Sequence, residues 1–297
     1  MRQRPGLALI AALLLLQAPM GRAALASPAQ LVGTYVWRLN ERWFGGFSGL
    51  ELSEDGTRFV VLSDRGNYAS GRFTRNAAGA ITGATLGPRH PVVDRRGRVL
   101  PRWKADSEGL AIAPDGRMYI SFEGVQRVLE YDRRGGAAKI LPRHPDFKNM
   151  PLNGSLEPLA IDRQGALYTL PERDPKDGPL KLYRFSHGKW SQSFTLPREG
   201  EFLPVGADFG PDGKFYLLER RFAGVVGFAS RVRRFSLGPQ GPGPGETLFQ
   251  SRLGAHDNLE GLAVWRDTAG HIRLTMVSDD NFSLFQRTEL VDYVVTE

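Results

Sequence analysis

Glu108-Gly109-Leu110-Ala111-Ile112-Ala113-Pro114-Asp115-Gly116-Arg117-Met118-Tyr119-Ile120-Ser121-Phe122-Glu123 reads as a short apolar strand, an Asp-Gly turn and a second apolar strand. Asp-Gly between two such runs is a strong hairpin signal. The unit recurs four more times. Ser48-Gly49-Leu50-Glu51-Leu52 leads through Asp55-Gly56 into Arg58 to Asp64, and Glu157-Pro158-Leu159-Ala160-Ile161 leads through Gln164-Gly165 into Leu167 to Glu172. Gly206-Ala207-Asp208-Phe209 leads through Asp212-Gly213 into Phe215 to Glu219, and Glu260-Gly261-Leu262-Ala263-Val264 leads through a turn at Gly270 into Ile272 to Asp279. Between Gly49, Gly109, Pro158, Gly206 and Gly261 the steps are 60, 49, 48 and 55 residues.

Further strand-like stretches follow each pair, among them Val128 to Tyr131, Lys181 to Phe185 and Arg231 to Phe235. Four strands in about 50 residues, repeated with almost no helical periodicity, specify an all-β fold, a single closed β-propeller. Separate small domains in tandem are the alternative, but an all-β unit of that size without staples could hardly bury a core. Five blades are visible, with six as the alternative count. The fifth unit shows only one further strand, Glu289 to Val295, so Leu31 to Leu39 is expected to close the ring by pairing with it. The Pro/Gly stretch from Gly238 to Gly245 reads as a surface loop, since no Lys-Ser/Thr follows it.

The 297 residues include no Cys, which excludes disulfides, thiolate metal sites and a cysteine nucleophile. Apolar residues at 41% are enough for a real core. Residues 1–26 have Arg2 and Arg4, an apolar run from Leu7 to Leu16 and Ala24-Leu25-Ala26, the pattern of a cleaved secretory leader too short for a membrane span. Residues 27–297 are then one propeller domain, periplasmic or secreted. The leader holds three of the 39 basic residues and no acids, so the mature chain carries 36 against 32. No basic run points to nucleic acid, no other segment could span a membrane, and the chain is read as a monomer.

The residue entering the first strand of a blade and the residue leaving the second lie at one end. Glu108 is thus expected near Glu123, Glu157 near Glu172, and Glu260 near Asp279 and Asp280, with Asp64, Asp106 and Glu219 on the same rim. Glu51 and Asp208 fall within innermost strands, facing the channel. Clustered carboxylates do not all stay ionised without a cation or raised pKa values. An oxygen-only donor set suits Ca²⁺ or Mg²⁺, with Ca²⁺ placed first and zinc excluded. The alternative reading pairs the acids with Arg65, Arg173, Arg220 or Arg221. Gly46-Phe47-Ser48-Gly49 lacks the second glycine of a nucleophile elbow, and the five His are scattered. Asn153-Gly154-Ser155 and Asn281-Phe282-Ser283 match the glycosylation sequon, a match common by chance.

Phe47-Ser48-Gly49-Leu50 with Ser63-Asp64-Arg65-Gly66, Asp106-Ser107-Glu108-Gly109-Leu110-Ala111, Asn153 with Glu157, Leu218-Glu219-Arg220, Asn258-Leu259-Glu260-Gly261-Leu262-Ala263 and Ser278-Asp279-Asp280-Asn281-Phe282 together resemble the phytase-like family described by an esterase-like activity of phytase. The resemblance covers nearly the whole mature chain in order. It implies an exported bacterial propeller hydrolysing a phosphate or carboxylic ester, by kinship with calcium-dependent propeller phytases. Glu108, Glu157, Glu260 and Asp279 would then do the chemistry with the cation. Arg65, Arg173 and Arg220, with Asn153, Asn258 and Asn281, would hold the small-molecule ester or phosphoester. The fourth unit departs from the pattern, with Val205 where three others carry Glu. Two other functions fit the same residues: a gluconolactonase-like lactonase, and a non-catalytic propeller that binds a protein, glycan or metal ligand.

Overall fold

Each hairpin begins with a turn that its aspartate organises. Asp115 Oδ1 accepts from the Arg117 amide at 3.1 Å, while the Gly116 amide donates to Ala113 O at 2.9 Å. Gly116 sits at φ 87°, a left-handed conformation that a side chain would strain. This is a type I turn followed by a left-handed glycine, a standard hairpin connection. In the third and fifth units the organising acid comes earlier, with Asp162 accepting from Gln164 and Asp267 from Ala269.

The computed structural model describes residues 27–132, 136–173 and 178–296, so the leader read over 1–26 lies outside them. Five antiparallel sheets form the blades of a propeller, four of them four-stranded and the first carrying a short fifth strand, His90–Pro91, beside Asn67–Arg75. Their innermost strands are Phe47–Leu52, Ser107–Ile112, Leu156–Ile161, Leu203–Phe209 and Asn258–Arg266. The outermost place in the fifth blade is taken by Ala29–Val36, which pairs antiparallel with Glu289–Val295 from Ala29↔Val295 to Val36↔Glu289. The strand begins two residues and ends three residues before the expected Leu31 to Leu39. Within the Pro/Gly stretch, Leu237–Gly238 and Gly241–Pro242 form a small two-stranded ribbon.

The core is divided into five apolar clusters, one at each blade interface. Tyr68, Met118, Phe122 and Tyr131 fill the first-to-second interface, and Leu182, Leu217 and Phe235 lie in the third-to-fourth. At the fifth-to-first interface, Trp37 stacks on Phe47 at 5.5 Å and meets Phe59 edge-on at 5.5 Å. Each fully buried side chain of this size contributes about 1.5–3 kcal/mol, so every blade depends on both neighbours.

At the axis the innermost strands touch backbone to backbone. A Cβ on Gly206 would lie 2.2 Å from Glu260 O, and one on Gly49 would lie 2.8 Å from Leu110 Cβ. Gly49, Gly109, Pro158, Gly206 and Gly261 therefore form a waist. Its cavity of about 10 Å³ has room for roughly one water molecule. The channel is thus closed in the middle and opens into two separate mouths.

Candidate functional site

One mouth is built from two rings of five positions. The first ring is the residue before each waist position: Ser48, Glu108, Glu157, Val205 and Glu260. The strand register breaks between Phe47 and Gly49, Ser107 and Leu110, Leu156 and Leu159, Pro204 and Gly206, and Leu259 and Gly261, so each first-ring residue occupies a bulge. A bulge leaves its extra residue out of the ladder and re-aims its side chain. The second ring lies at or near the ends of the second strands: Asp64, Glu123, Glu172, Arg220 and Asp279, the strand of Arg220 running on to Phe222. Each lies opposite the residue three before the waist: the amides of Asp64, Glu123 and Glu172 donate to Gly46, Asp106 and Ser155, and Arg220 and Asp279 pair with Leu203 and Asn258.

Asp106, Glu108 and Glu123 each bring a carboxylate oxygen to within 4.8 Å of the other two. Burial pushes Glu108 well above the usual carboxylate range, reinforced by Glu157, Glu123 and Glu260. Glu157 rises for the same reason, with Glu172 as its largest charged neighbour. Burial raises Glu123 to about 7 even though the Gly154 and Ser155 amides donate to it, at 2.6 and 3.3 Å. Asp64 reaches about 6 and Asp279 about 9, each through burial first and then Glu260. Asp106 and Glu260 are raised by burial as well.

The countercharge within the rings is Arg220. Its guanidinium donates to Glu172 Oε1 at 3.1 Å, to Asn258 Oδ1 at 2.5 Å and to Glu260, while Asn258 Nδ2 donates to Glu260 Oε1 at 2.9 Å. The mouth is thus divided. Glu172 and Glu260 are neutralised by an arginine, whereas Asp106, Glu108 and Glu123 have no ion pair among the described residues. An oxygen-only set of two buried acids and one half-buried acid fits a hard divalent cation. The Ser155 hydroxyl, buried beside Glu123, has no hydrogen-bond partner among the described residues, a further polar atom turned to no protein group.

Several residues singled out in the sequence fall outside this cluster. Glu219 is fully buried on the other face of its strand, where it accepts from Arg231 Nε at 2.9 Å and from Arg233 Nε and Nη2, both at 2.7 Å. It is a structural ion pair within the blade. Asp280 fastens a loop, accepting from the Gly46 amide at 2.9 Å, the Phe282 amide at 3.0 Å and Thr288 Oγ1 at 3.1 Å. Asn153 is exposed, and Asn281 sits in a left-handed turn with its side chain on Gln286. Arg173 lies at the rim against Glu172, 3.1 Å away. Arg65 stacks on the Phe282 ring, 3.0 Å from its centroid, with its hydrogen-bond donors unpaired among the described residues. Phe282 as the platform for Arg65, and Ser155 as a lining residue, carry no signal a single sequence could show.

Beyond the waist, two positions further along each innermost strand, the residues are Glu51, Ala111, Ala160, Asp208 and Ala263. Glu51 accepts from the Ile112 amide at 3.1 Å and Asp208 from the Val264 amide at 2.7 Å, so each ties its strand to the next blade. Burial raises Asp208 to about 7 and lifts Glu51 well above the carboxylate range, with Asp208 as its largest charged neighbour.

A family model described as "Phytase-like: Esterase-like activity of phytase" matches residues 42–282. No curated protein matches the chain in sequence. Among solved structures, an α-L-arabinofuranosidase from Podospora anserina in complex with cellotriose is similar at TM-score 0.51 and 14% identity, over 87% of this chain and 93% of that one. A PQQ-bound aldose sugar dehydrogenase from Streptomyces coelicolor is similar at TM-score 0.46 and 14% identity, over 88% and 98%. A virginiamycin B lyase from Staphylococcus aureus is similar at TM-score 0.44 and 14% identity, over 84% and 71%. At such identities the likeness concerns the fold alone. No helix among the described residues is long and apolar enough to cross a membrane.

Proposed function

The chain belongs to the phytase-like family, and from that premise and the geometry of the acidic mouth we propose that it is an exported hydrolase of phosphate or carboxylic esters that depends on a divalent cation, Ca²⁺ before Mg²⁺. The observation that carries the proposal is the triad of buried Glu108 and Glu123 with half-buried Asp106, three acids within 4.8 Å of one another beside an already neutralised half of the mouth. These three residues would hold the cation. When bound, such a cation lowers the pKa of a coordinated water and screens anionic substrate oxygens.

The chain's own groups supply the remaining roles. Asp279, raised to about 9, keeps its proton at neutral pH and is placed to give it to a leaving group. Asp64, at about 6, is ionised there and is suited to accept a proton from water. Arg65, held over the Phe282 ring, and Arg173 at the rim offer forked donors to substrate oxygens. Hydrolysis of p-nitrophenyl phosphate and p-nitrophenyl acetate, with calcium and with chelator, tests the reading. Turnover that is lost with chelator and in Glu108→Gln supports it, and turnover unaffected by either refutes it.

A second reading rests on Arg220, which occupies Glu172 and Glu260 without any substrate. It makes the propeller a cation-dependent binding scaffold, and full calcium binding with no turnover of phosphate, ester or lactone substrates would select it.

A further inference from the structure

The exposed large apolar side chains are distributed unequally over the two faces. Because the strands of a blade alternate in direction, the acidic mouth is edged by the segments entering the innermost strands and by the hairpins joining second to third strands. Trp103 and Leu152 lie in entering segments, at 67 and 73% exposure. Phe222 and Val225 lie in the hairpin of the fourth blade, and Leu284 and Phe285 in that of the fifth, the last three at 98% exposure or above. The turns on the opposite face, at 53–57, 113–117, 162–166, 210–214 and 267–271, hold none of the exposed large apolar residues among the described ones. Single exposed apolar residues are ordinary on a folded chain, but their gathering on one face, in adjacent pairs at Val225-Val226 and Leu284-Phe285, is what a contact surface accounts for.

The exposed charges around them that make no ion pair among the described residues are mostly cationic: Glu41 is an exception, while Glu199 and Glu201 are held by Arg231, Arg233 and Arg221. Arg42, Arg102, Lys148 and Arg252 are exposed in the same mouth-side segments and make no ion pair among the described residues. Lys104 stands 4.4 Å over the Trp103 ring, giving the sequence Arg102-Trp103-Lys104 a cationic and an aromatic element together. Apolar tips interleaved with unpaired Arg and Lys, on loops of several blades, suit a surface that is anionic outside and apolar beneath. An aromatic ring at the headgroup level with cations beside it is the usual interfacial arrangement. A protein partner would be expected to use a continuous apolar patch with a polar rim, whereas here the apolar tips are spaced around an acidic hollow.

We infer that the mouth face docks on an anionic lipid bilayer, with Trp103, Phe222, Val225, Leu284 and Phe285 entering the headgroup region and the carboxylate rings facing the lipid. The inference does not depend on hydrolysis, and it would bring the proposed site against phosphate esters if both hold.

Flotation with phosphatidylcholine vesicles, with and without about 30% phosphatidylglycerol, tests it in the presence of chelator. Residues 27–297, which contain every strand of the closed ring, are used so that the apolar leader contributes nothing. Binding to the anionic vesicles is expected, weakened by about 0.5 M salt, and reduced about tenfold or more in Arg102→Glu/Lys104→Glu and in Leu284→Ser/Phe285→Ser. Lys189→Glu, a charge reversal beyond the other mouth, should leave binding within about twofold. Absence of binding, or binding that the mouth variants do not weaken, overturns the inference. A dimer in solution that Leu284→Ser/Phe285→Ser dissolves, without vesicle binding by the parent, would also overturn it in favour of a second copy. Melting curves of the surface variants that match the parent exclude misfolding.

Discussion

Raising the pH of the chelated protein should destabilise it, and one residue sets a minimum for the effect. Asp279 has a folded-state pKa of about 9 against 3.8 in the unfolded chain, because burial and Glu260 oppose its charge. Between these values the folded protein holds a proton that the unfolded chain has released. Stability therefore has its full value below the unfolded pKa and is lost as the pH climbs toward 9. The slope is about 1.4 kcal/mol per pH unit for one such proton, or about 4 kcal/mol between about pH 5.5 and about pH 8.5. Glu123, at about 7, and Asp64, at about 6, act in the same direction over the lower part of this range. At about 2–4 °C per kcal/mol for a chain near this size, the melting temperature should fall by about 8 °C or more. The assay is thermal unfolding across the pH series with chelator and with millimolar calcium. Calcium should flatten the slope, since an ion on the acids replaces their protons. A melting temperature that is level or rises with pH in chelator would refute the argument that these carboxylates are buried against their charge.

Further outcomes follow from the same contacts. Replacing Glu108 by Gln should remove most of the calcium-induced stabilisation, which is about 2.7 kcal/mol at a hundredfold excess over Kd, as read from paired melting curves with calcium and chelator. Arg220→Gln removes the partner of Glu172 and Glu260, so the chelated protein should lose about 3–5 kcal/mol in denaturant unfolding and the pH slope should steepen. Glu219→Gln should cost a similar amount, about 3–5 kcal/mol, by leaving Arg231 and Arg233 without their partner, but the calcium gain should stay at the parent value. Deleting residues 29–36 strips the outer strand from the fifth blade, and the protein should melt several degrees lower or become insoluble.

The fold was legible because its repeating parts are local. Each hairpin is specified within about 15 residues by apolar strand positions and a glycine turn, with aspartate next to the glycine in three units, and five repetitions leave few architectures open. The position of the outermost strand of the fifth blade was legible to within three residues at either end, since Glu289–Val295 had no outer neighbour in its own unit. The acids were legible as a class, because Glu108, Glu157 and Glu260 stand in the same place before the waist in three units. What forces them together is tertiary: the waist contacts and the bulges that turn these residues out of their ladders. A bulge has no marker in the sequence beyond Pro158, whose missing N–H suits a position outside the ladder.

The misplacement of Glu219 has a more specific cause, and it shows how strand parity decides which charge enters the mouth. Tyr119 and Tyr168 each stand four residues before a ring acid, Glu123 and Glu172. Counting four from Tyr216 reaches Arg220, not Glu219. Matching by residue type aligned an acid with acids, whereas matching by position would have put a cation in the ring. Neighbouring residues of a strand face opposite ways, so one step separates the channel from the space between strands. Arg220 therefore meets Glu172 and Glu260, and Glu219 meets Arg231 and Arg233. The fourth blade is the one that lacks an acid in both rings, with Val205 in the first and Arg220 in the second. Its arginine reaches acids of the third and fifth blades, on either side of it. The pair of acids left without any arginine, Glu108 and Glu123, belongs to the second blade, one blade further from that cation than the third. The asymmetry of a fivefold frame thus places the neutralised half of the mouth around the fourth blade and the free carboxylates around the second.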